Sequence, residues 1–522
     1  MAELIGKIKN SNQKGFSTLE MLIAFAVLIT TIVAAISVVF GNQSISADSQ
    51  TNDEALYLAQ QQLEDARALK ANSSYDFIAT SIPASVSFPY TKQLIVPDPP
   101  ISDCLKQVIS QVRWPMGNRQ LKVETSTLLS NPQKVIDLGF DCNTVPPGPE
   151  DWKKPQDNLS TSDKIPGEGI SIDADNKVVF LGSTISDAKN SEDFFVIDSA
   201  DNQRVALKTG PLCKRLTGSD PDCGINALST IKNDDSYYTF VAYSSKSQQL
   251  QVIKTTTDFV NSSVVAKATL YLVDRAGSYP QGVSIFYLKN RIYIATKETG
   301  GPEFHVFNVS NPEDPKEIAY KEINHNVNSI YVKEQNIGGV IKPIAYLALS
   351  ATSDSAPELS VLDADAPDNP GVPVELPDPI SSFNAAGKNQ YGTSVYGLGN
   401  KLFLGRERGT SNPDLYVLDI KAPTVSPLPL LGSKVLGLNP NKKVSAIRAT
   451  GNLVFLGTTD SNNPFSVWSI ANLPAISLWN VCNVNFSAEV NGIDFDGGWI
   501  YAVVGQNGPF YIIKPTGATC PG

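Results

Sequence analysis

The sequence predicts a mixed protein, in which a long N-terminal transmembrane α-helix and a small α+β head are followed by an all-β seven-bladed β-propeller. Three observations predict this organisation. Residues 16–40 form a largely apolar tract with one charged residue, Glu20. From residue 167 onward a three-strand unit recurs seven times. Thirty-five prolines, 36 glycines and only 18% charged residues favour a body rich in β-strands and turns.

The N-terminal tract is long enough to cross a membrane. At ~1.5 Å per helical residue it spans roughly 37 Å, against a hydrocarbon core of ~30 Å. Lys7, Lys9 and Lys14 precede it, and this favours a cytoplasmic leader with the rest of the chain facing outward. Because the polar break comes before the apolar run, the apolar part is expected to survive processing.

The stretch KGFSTLEMLIA at residues 14–24 resembles the N-terminal signal of bacterial type IV prepilins and pseudopilins. The resemblance implies that prepilin peptidase cleaves after Gly15, that residues 1–15 are removed, and that the new terminal residue Phe16 is N-methylated. It also implies that the helix packs against other pilin subunits in a filament. In that family the fifth mature residue is a glutamate that meets the terminal amine of a neighbouring subunit, and Glu20 is fifth counting from Phe16.

Glu20 needs a partner, because a carboxylate in the bilayer costs about 3 kcal/mol even on lenient scales. The alternative interpretation is a glutamate that reaches the interface of a simple signal anchor.

Beyond the membrane tract, the pattern predicts that the helix of residues 16–70 continues as an amphipathic segment. Leu56, Ala59, Leu63 and Ala66 fall at spacings of three, four and three, on one stripe. Residues 55–69 also look like minor pilins and small pseudopilins. The stripe is equally compatible with packing on the chain's own head.

Residues 71–142 are predicted to form a small head. Residues 107–114 and 119–129 read as two strands joined by a turn at 115–118, similar to the strand pair of small pilin heads. A Pro-rich linker is predicted at 143–166.

Six cysteines form an even set in a chain directed out of the cytoplasm, so disulfides are the natural interpretation. The sequence permits 15 pairings. The local pairs are favoured because each falls within one proposed unit: Cys104 with Cys142, Cys213 with Cys223, and Cys482 with Cys520. The chain has no C-x-x-C spacing, and zinc is not expected.

Residues 167–522 are predicted to form the propeller. Each unit has a short apolar strand, a second strand of the type Val-Phe-Leu-Gly and a third ending near Val-Ile-Asp, at spacings of roughly 46 to 64 residues. Segments 309–315 and 363–370 resemble propeller repeats named for a Leu-Val-Ile-Val-Asp core. Since the last copy lacks an outer strand and propellers avoid exposed edges, a short segment before Gly167 is predicted to complete the seventh blade.

The chain has no H-E-x-x-H, G-x-S-x-G, P-loop or G-x-G-x-x-G motif, so we predict that it is not an enzyme and has no catalytic residue. His305 is expected to pack within a third strand and His325 to lie solvated in a loop. Acidic clusters at 173–176 and 363–365 offer oxygen ligands for calcium, but they lack the glycine and final glutamate of an EF-hand and are interpreted as turns. No other cofactor is expected.

These features predict a minor, tip-associated type IV pilin that displays its propeller for adhesion, with an extracellular glycan or protein ligand. One alternative is a pseudopilin or minor pilin that primes filament assembly, secretion or DNA uptake, and another is a filament-displayed enzyme. The precursor is expected in the cytoplasmic (inner) membrane and the mature protein in an extracellular pilus or at the cell surface. A net charge of −10 argues against a nucleic-acid partner.

Overall fold

The computed structural model describes most of the chain, with gaps. The described residues are 18–72, 82–97, 105–116, 119–130, 152–157, 168–183, 193–198, 224–233, 235–244, 248–258, 261–271, 280–350, 356–368, 371–385, 391–407, 412–480, 484, 486, 488–505 and 510–515. They belong to two compact units, Met1–Pro132 and Gln133–Gly522, which are described separately.

The described residues of the first unit form one helix and one four-stranded antiparallel sheet. Helix α1 spans Thr18–Asn72 without interruption, and its segment Met21–Phe40 is long and apolar enough to cross a membrane. The sheet has the order β1-β2-β3-β4, formed by Ile82–Ser87, Tyr90–Ile95, Leu105–Met116 and Arg119–Ser130. The predicted hairpin is confirmed as β3 and β4, while the preceding hairpin was not predicted.

The last third of α1 packs on this sheet. Two small apolar cores form, one around Leu63 and Ala66 against Val108, the other around Ala55 and Ala59 against the second half of β3. The prediction that Leu56 belongs to the buried stripe is wrong, because Leu56 is 39% exposed whereas Ala55 is fully buried.

The second unit is an all-β, propeller-like domain. Its described residues form seven sheets, here called blades 1 to 7, each with its strands in sequence order from the innermost outward except where a distant strand is added. The strands are β5 (Pro155–Asp157); β6 (Gly169–Asp175), β7 (Val178–Ser183), β8 (Phe194–Asp198); β9 (Ile225–Asn233), β10 (Ser236–Tyr243), β11 (Leu250–Thr256), β12 (Ser262–Ala268); β13 (Gly282–Leu288), β14 (Arg291–Thr296), β15 (Phe304–Asn308), β16 (Lys316–Lys321); β17 (Val327–Ile337), β18 (Val340–Leu349), β19 (Leu359–Asp363); β20 (Val374–Glu375), β21 (Ser381–Phe383); β22 (Gly392–Leu398), β23 (Lys401–Arg406), β24 (Leu415–Asp419), β25 (Leu430–Lys434); β26 (Val444–Thr450), β27 (Leu453–Thr458), β28 (Phe465–Asn472), β29 (Ala475–Leu478); and β30 (Val490–Asp496), β31 (Trp499–Val504), β32 (Phe510–Pro515).

The blades are arranged in a closed ring. The innermost strands β6, β9, β13, β17, β22, β26 and β30 each contact the next, and β30 contacts β6. The second strands are almost wholly buried, as in β7 and β27, because neighbouring blades cover both of their faces. This explains why they read as continuous apolar runs rather than alternating ones. Blade 4 ends in β21, and β20 pairs in parallel with β16 of blade 3.

The ring closes through a strand from before residue 167, as predicted. Strand β5 pairs antiparallel with β32, with Asp157 opposite Ile513. Trp152, just before β5, is 1% exposed and meets Phe455 edge-on at 4.7 Å between ring centroids. Residues 152–157 therefore belong to the propeller rather than to a linker.

Candidate ligand-binding channel

The innermost strands surround a central channel and share one local irregularity. In each of them the pairing with the second strand skips the second residue, which makes a β-bulge at the same place in all seven blades. The seven bulge residues line a cavity of about 610 Å³: Ile170, Asn226, Val283, Asn328, Thr393, Ser445 and Asn491.

All five polar bulge side chains form hydrogen bonds that join neighbouring blades. Asn328 Nδ2, for example, donates to the carbonyl oxygen of Gly392 at 2.6 Å, the first residue of the next innermost strand. Four other bulge side chains donate to the equivalent carbonyl: Asn226 to Gly282, Thr393 to Val444, Ser445 to Val490, and Asn491 to Gly169. The last of these bonds connects blade 7 to blade 1, so this end of the channel is largely structural.

The fifth residue of each innermost strand forms a second layer, which we call the channel ring. Its members in blade order are Asp173, Ser229, Phe286, Tyr331, Tyr396, Arg448 and Asp494. Five of them, in blades 3 to 7, line an adjoining cavity of about 520 Å³. The ring is divided by chemistry, with aromatic residues in blades 3 to 5 and charged residues in blades 6, 7 and 1.

The aromatic half is continuous. The rings of Phe286 and Tyr331 meet edge to face at 5.4 Å, and those of Tyr331 and Tyr396 are 5.9 Å apart. Neither tyrosine hydroxyl has a hydrogen-bond partner among the described residues. Burial raises the pKa of both hydroxyls, so both stay protonated at neutral pH. Gly397 allows this packing, because a Cβ there would lie 2.1 Å from Tyr331 Cε1.

The charged half is fixed by short hydrogen bonds. Arg448 lies over the Tyr396 ring at 5.1 Å, and its Nε donates to Asp494 Oδ1 at 2.6 Å. The other Asp494 oxygen accepts the Ala174 amide at 2.7 Å, and Asp173 accepts the Thr230 amide. Burial, followed by the nearby charge of Asp494, raises the pKa of Asp173 well above its ordinary value.

The channel ring therefore offers an apolar wall opposite paired donors and acceptors, in a cavity within the size range of about 300 to 1,000 Å³ typical of ligand sites. A carboxyl group with a raised pKa beside a carboxylate can also hold a proton for exchange. Among the described residues no group of three or more His, Cys, Asp or Glu side chains is placed to hold a metal ion.

The sequence-predicted site residues lie elsewhere. Gly15, Phe16 and the six cysteines fall outside the described residues, so cleavage, methylation and the proposed disulfides stay predictions. Glu20 lies in α1, but its side chain is outside the described part.

His305 lies in β15, 1% exposed, with Nδ1 2.7 Å from Glu317 Oε1. This confirms its packing role. His325 lies in the loop before β17, half-buried rather than fully solvated.

The two acidic clusters have structural partners. Asp363 pairs with Lys342 at 2.7 Å, and Asp365 lies 3.8 Å from the guanidinium of Arg291. Of the first cluster, Asp173 belongs to the channel ring, and Asp175 ends β6 before a turn at Asn176. Sequence reasoning missed the ring because it aligned the copies on their second and third strands. Aligning the first strands on their opening residue would have placed the seven members at one position, but no shared residue type marks that position as a site.

These features define the second unit as a propeller-like all-β domain with a polar and aromatic central channel. No family model matches the chain, and no curated protein matches it.

Solved structures with a similar fold include a puromycin hydrolase mutant complexed with PGG (10% identity, TM-score 0.38). The match covers 65% of this chain and 50% of the hydrolase chain, so this chain spans about half the length of that protein. They also include the Pseudomonas aeruginosa periplasmic gluconolactonase (11% identity, TM-score 0.42, 82% of this chain and 99% of that chain). A DUF4623 family protein from Bacteroides eggerthii is similar as well (13% identity, TM-score 0.34, 83% and 88%).

The prediction that the chain is not an enzyme is corrected by these comparisons, since structures similar to it include a hydrolase and a lactonase. The absence of a familiar catalytic motif was not sufficient ground for excluding catalysis, because motifs do not transfer between folds. At identities of 10 to 11% the likenesses assign neither a reaction nor a substrate to this chain.

Proposed function

We propose that this chain is a minor, tip-associated type IV pilin that presents a ligand-binding, propeller-like domain outside the cell. The observation that carries the proposal is the continuity of α1. Its N-terminal part follows a prepilin-like processing sequence and exposes an apolar segment, Met21–Phe40, whereas its C-terminal part packs on a four-stranded sheet. That division of one helix suits a subunit anchored by its first half and carrying a head on its second.

The size of the second unit supports a position at the tip. It spans Gln133–Gly522, about three times the length of the first unit. A body of this bulk on every subunit would collide with its equivalents along a filament, so the subunit is expected to be sparse or terminal. The channel ring gives the displayed unit a site with which to recognise a ligand.

The second candidate function is assembly priming by a minor pilin or pseudopilin, in secretion or DNA uptake. It is favoured by the independence of the first unit, since both cores under α1 are built from residues before Pro132. Such a subunit could initiate filaments without its C-terminal unit.

A truncation separates the two functions. Cells lacking the native chain are complemented with the full chain or with a chain ending at Pro132, and surface filaments and attachment to a target surface are both counted. Filaments without attachment support recognition by the second unit, whereas restoration of both filaments and attachment by the chain ending at Pro132 supports priming by the first unit. Cutting at 132 rather than 166 removes β5 together with the rest of its blade.

Glu20→Ala in the full chain tests the filament role itself. Incorporation into sheared filaments should fall sharply while the protein level in the membrane stays unchanged, because a partner for the terminal amine of a neighbouring subunit is lost. Normal incorporation of this variant would contradict the pilin proposal.

A further inference from the structure

The channel ring has hydrogen-bonding groups that the described part of the chain does not itself use. The bulge layer is occupied by bonds between blades, but the hydroxyls of Tyr331 and Tyr396 have no partner among the described residues. Both tyrosines line the cavity of about 520 Å³, with Phe286 beside them. A ligand that packs on aromatic rings and also bonds two hydroxyl groups would satisfy this half of the ring.

An organic cation fits the ring poorly. The face of Tyr396 is already covered by the chain's own cation, Arg448, at 5.1 Å, and Lys333 lines the same cavity. A second cation there would be repelled by both.

An anion fits poorly as well, because the two cations that line the cavity are already bonded within the chain. Arg448 Nε donates to Asp494 Oδ1, and Lys333 Nζ donates to the carbonyl oxygen of Gly399. Neither cation is therefore left to select an anionic ligand.

The charged half does suit hydroxyl groups. Arg448 only donates hydrogen bonds, whereas the carboxyl oxygens of Asp494 accept them. A ligand with several neighbouring hydroxyls, each a donor and an acceptor, can match such a set without carrying a charge.

We propose that the channel ring binds a neutral sugar unit, with the C–H face of the pyranose against Phe286 and Tyr331 and its hydroxyls toward Arg448 and Asp494. This rests on the proposed function, and names the ligand class of that site as an uncharged glycan rather than a protein surface. The tyrosine hydroxyls bond the sugar edge that lies over the aromatic half.

The test measures binding of the full chain, held in lipid nanodiscs because sugar-based detergents would compete. Biotinylated oligosaccharides ending in a neutral hexose are compared with otherwise matched probes ending in a free amino sugar or a sialic acid. Binding is expected to the neutral probes, with weaker binding to both charged series. A preference for either charged series, or no binding to any probe, would overturn the inference.

Single-atom variants then locate the site. Tyr331→Phe and Tyr396→Phe each remove one hydroxyl and keep the ring, so each should weaken binding by about 3- to 10-fold, as expected for one neutral hydrogen bond. The matched control is Tyr287→Phe, next to Phe286 in β13, whose hydroxyl donates to Asn290 Oδ1 at 3.3 Å and whose ring stacks on Phe240. It should bind as wild type does.

A variant that retains the hydroxyl addresses the aromatic wall. Gly397→Ala places a methyl group where the Tyr331 ring now packs, so the ring has to move. Binding of the neutral probes should weaken by at least 10-fold, while the near-ultraviolet circular dichroism of the domain stays unchanged. Equal binding by all four variants would place the sugar elsewhere and refute the assignment. If attachment of cells still depends on residues 133–522 but not on Tyr331, the proposed function stands and this inference fails.

Discussion

Replacing Arg406 by Met should lower the free energy of unfolding of the propeller-like unit by about 3 to 5 kcal/mol, the usual cost of breaking one side of a buried ion pair. Arg406 is fully buried, and its Nη2 lies 2.8 Å from Glu358 Oε1 in the neighbouring blade. Its Nη1 also donates to the Tyr416 hydroxyl at 3.1 Å. Met retains much of the side-chain volume of Arg, so the lost stability reflects removal of the charge rather than creation of a cavity.

The size of the stability loss follows from the contacts that Glu358 keeps after Arg406 is replaced. After the substitution, its Oε2 still accepts the Ala385 amide at 2.7 Å, but Oε1 faces no cation. Burial already raises the pKa of Glu358, and Arg406 is the main influence that opposes this rise. The variant should therefore bind a proton at Glu358, and adding Glu358→Gln to Arg406→Met should recover a large part of the lost stability.

The measurement is a guanidinium titration of the full chain in detergent micelles, followed by tryptophan fluorescence. Lys316→Met is the control, because it breaks an ion pair with Asp314 whose side chains are 68% and 59% exposed, and it should leave the midpoint almost unchanged. Equal shifts for the two single variants, or a double variant less stable than Arg406→Met, would refute the reasoning.

Three further predictions follow from burial. Burial raises the pKa of Glu303 to about 7, so the folded chain binds this proton more tightly than the unfolded chain does. The free energy of unfolding should therefore fall as pH rises from about 4.5 to about 7, and Glu303→Gln should remove about 3 kcal/mol of that dependence in paired unfolding curves. Trp152→Ala should cost about 3 to 5 kcal/mol and speed amide hydrogen exchange in β32, whereas unchanged exchange would contradict closure by β5. Leu63→Ala should lower the free energy of opening of the first unit, measured by native-state proteolysis, by about 2 to 4 kcal/mol. Leu56→Ala should have a much smaller effect, and a larger effect at Leu56 than at Leu63 would mean that Leu56 belongs to the buried stripe after all.

The strand repeat could be predicted because its signal is local. Second strands such as Val178–Ser183 are buried on both faces, and this requires a continuous apolar run that any alignment of the copies detects. Closure could be predicted because the last copy was one strand short, which leaves an unpaired edge.

The helix stripe was predicted with one error for a physical reason. Ala55 and Leu56 are adjacent on α1, and hydrophobicity alone favours the larger residue as the buried one. The approach of the sheet instead requires the smaller side chain at this point, where Ala55 and Ala59 face Val112 and Trp114. Close packing between a helix and a sheet depends on size, which the periodicity of apolar residues does not encode.

The channel ring could not be predicted from the same signals, since no residue type recurs throughout it. The fourth position of the innermost strands is always Ile, Leu or Val, as in Ile172, Leu228 and Val395, because each blade must bury that side chain in the same way. The fifth position varies from aspartate to tyrosine to arginine around the ring, although the backbone there is the same in every blade. A repeated backbone imposes repeated side chains wherever the fold needs them. Variation at the fifth position therefore means that the fold does not dictate it, and the arrangement of three aromatic residues followed by an ion pair and a second carboxylate is left for ligand recognition to explain.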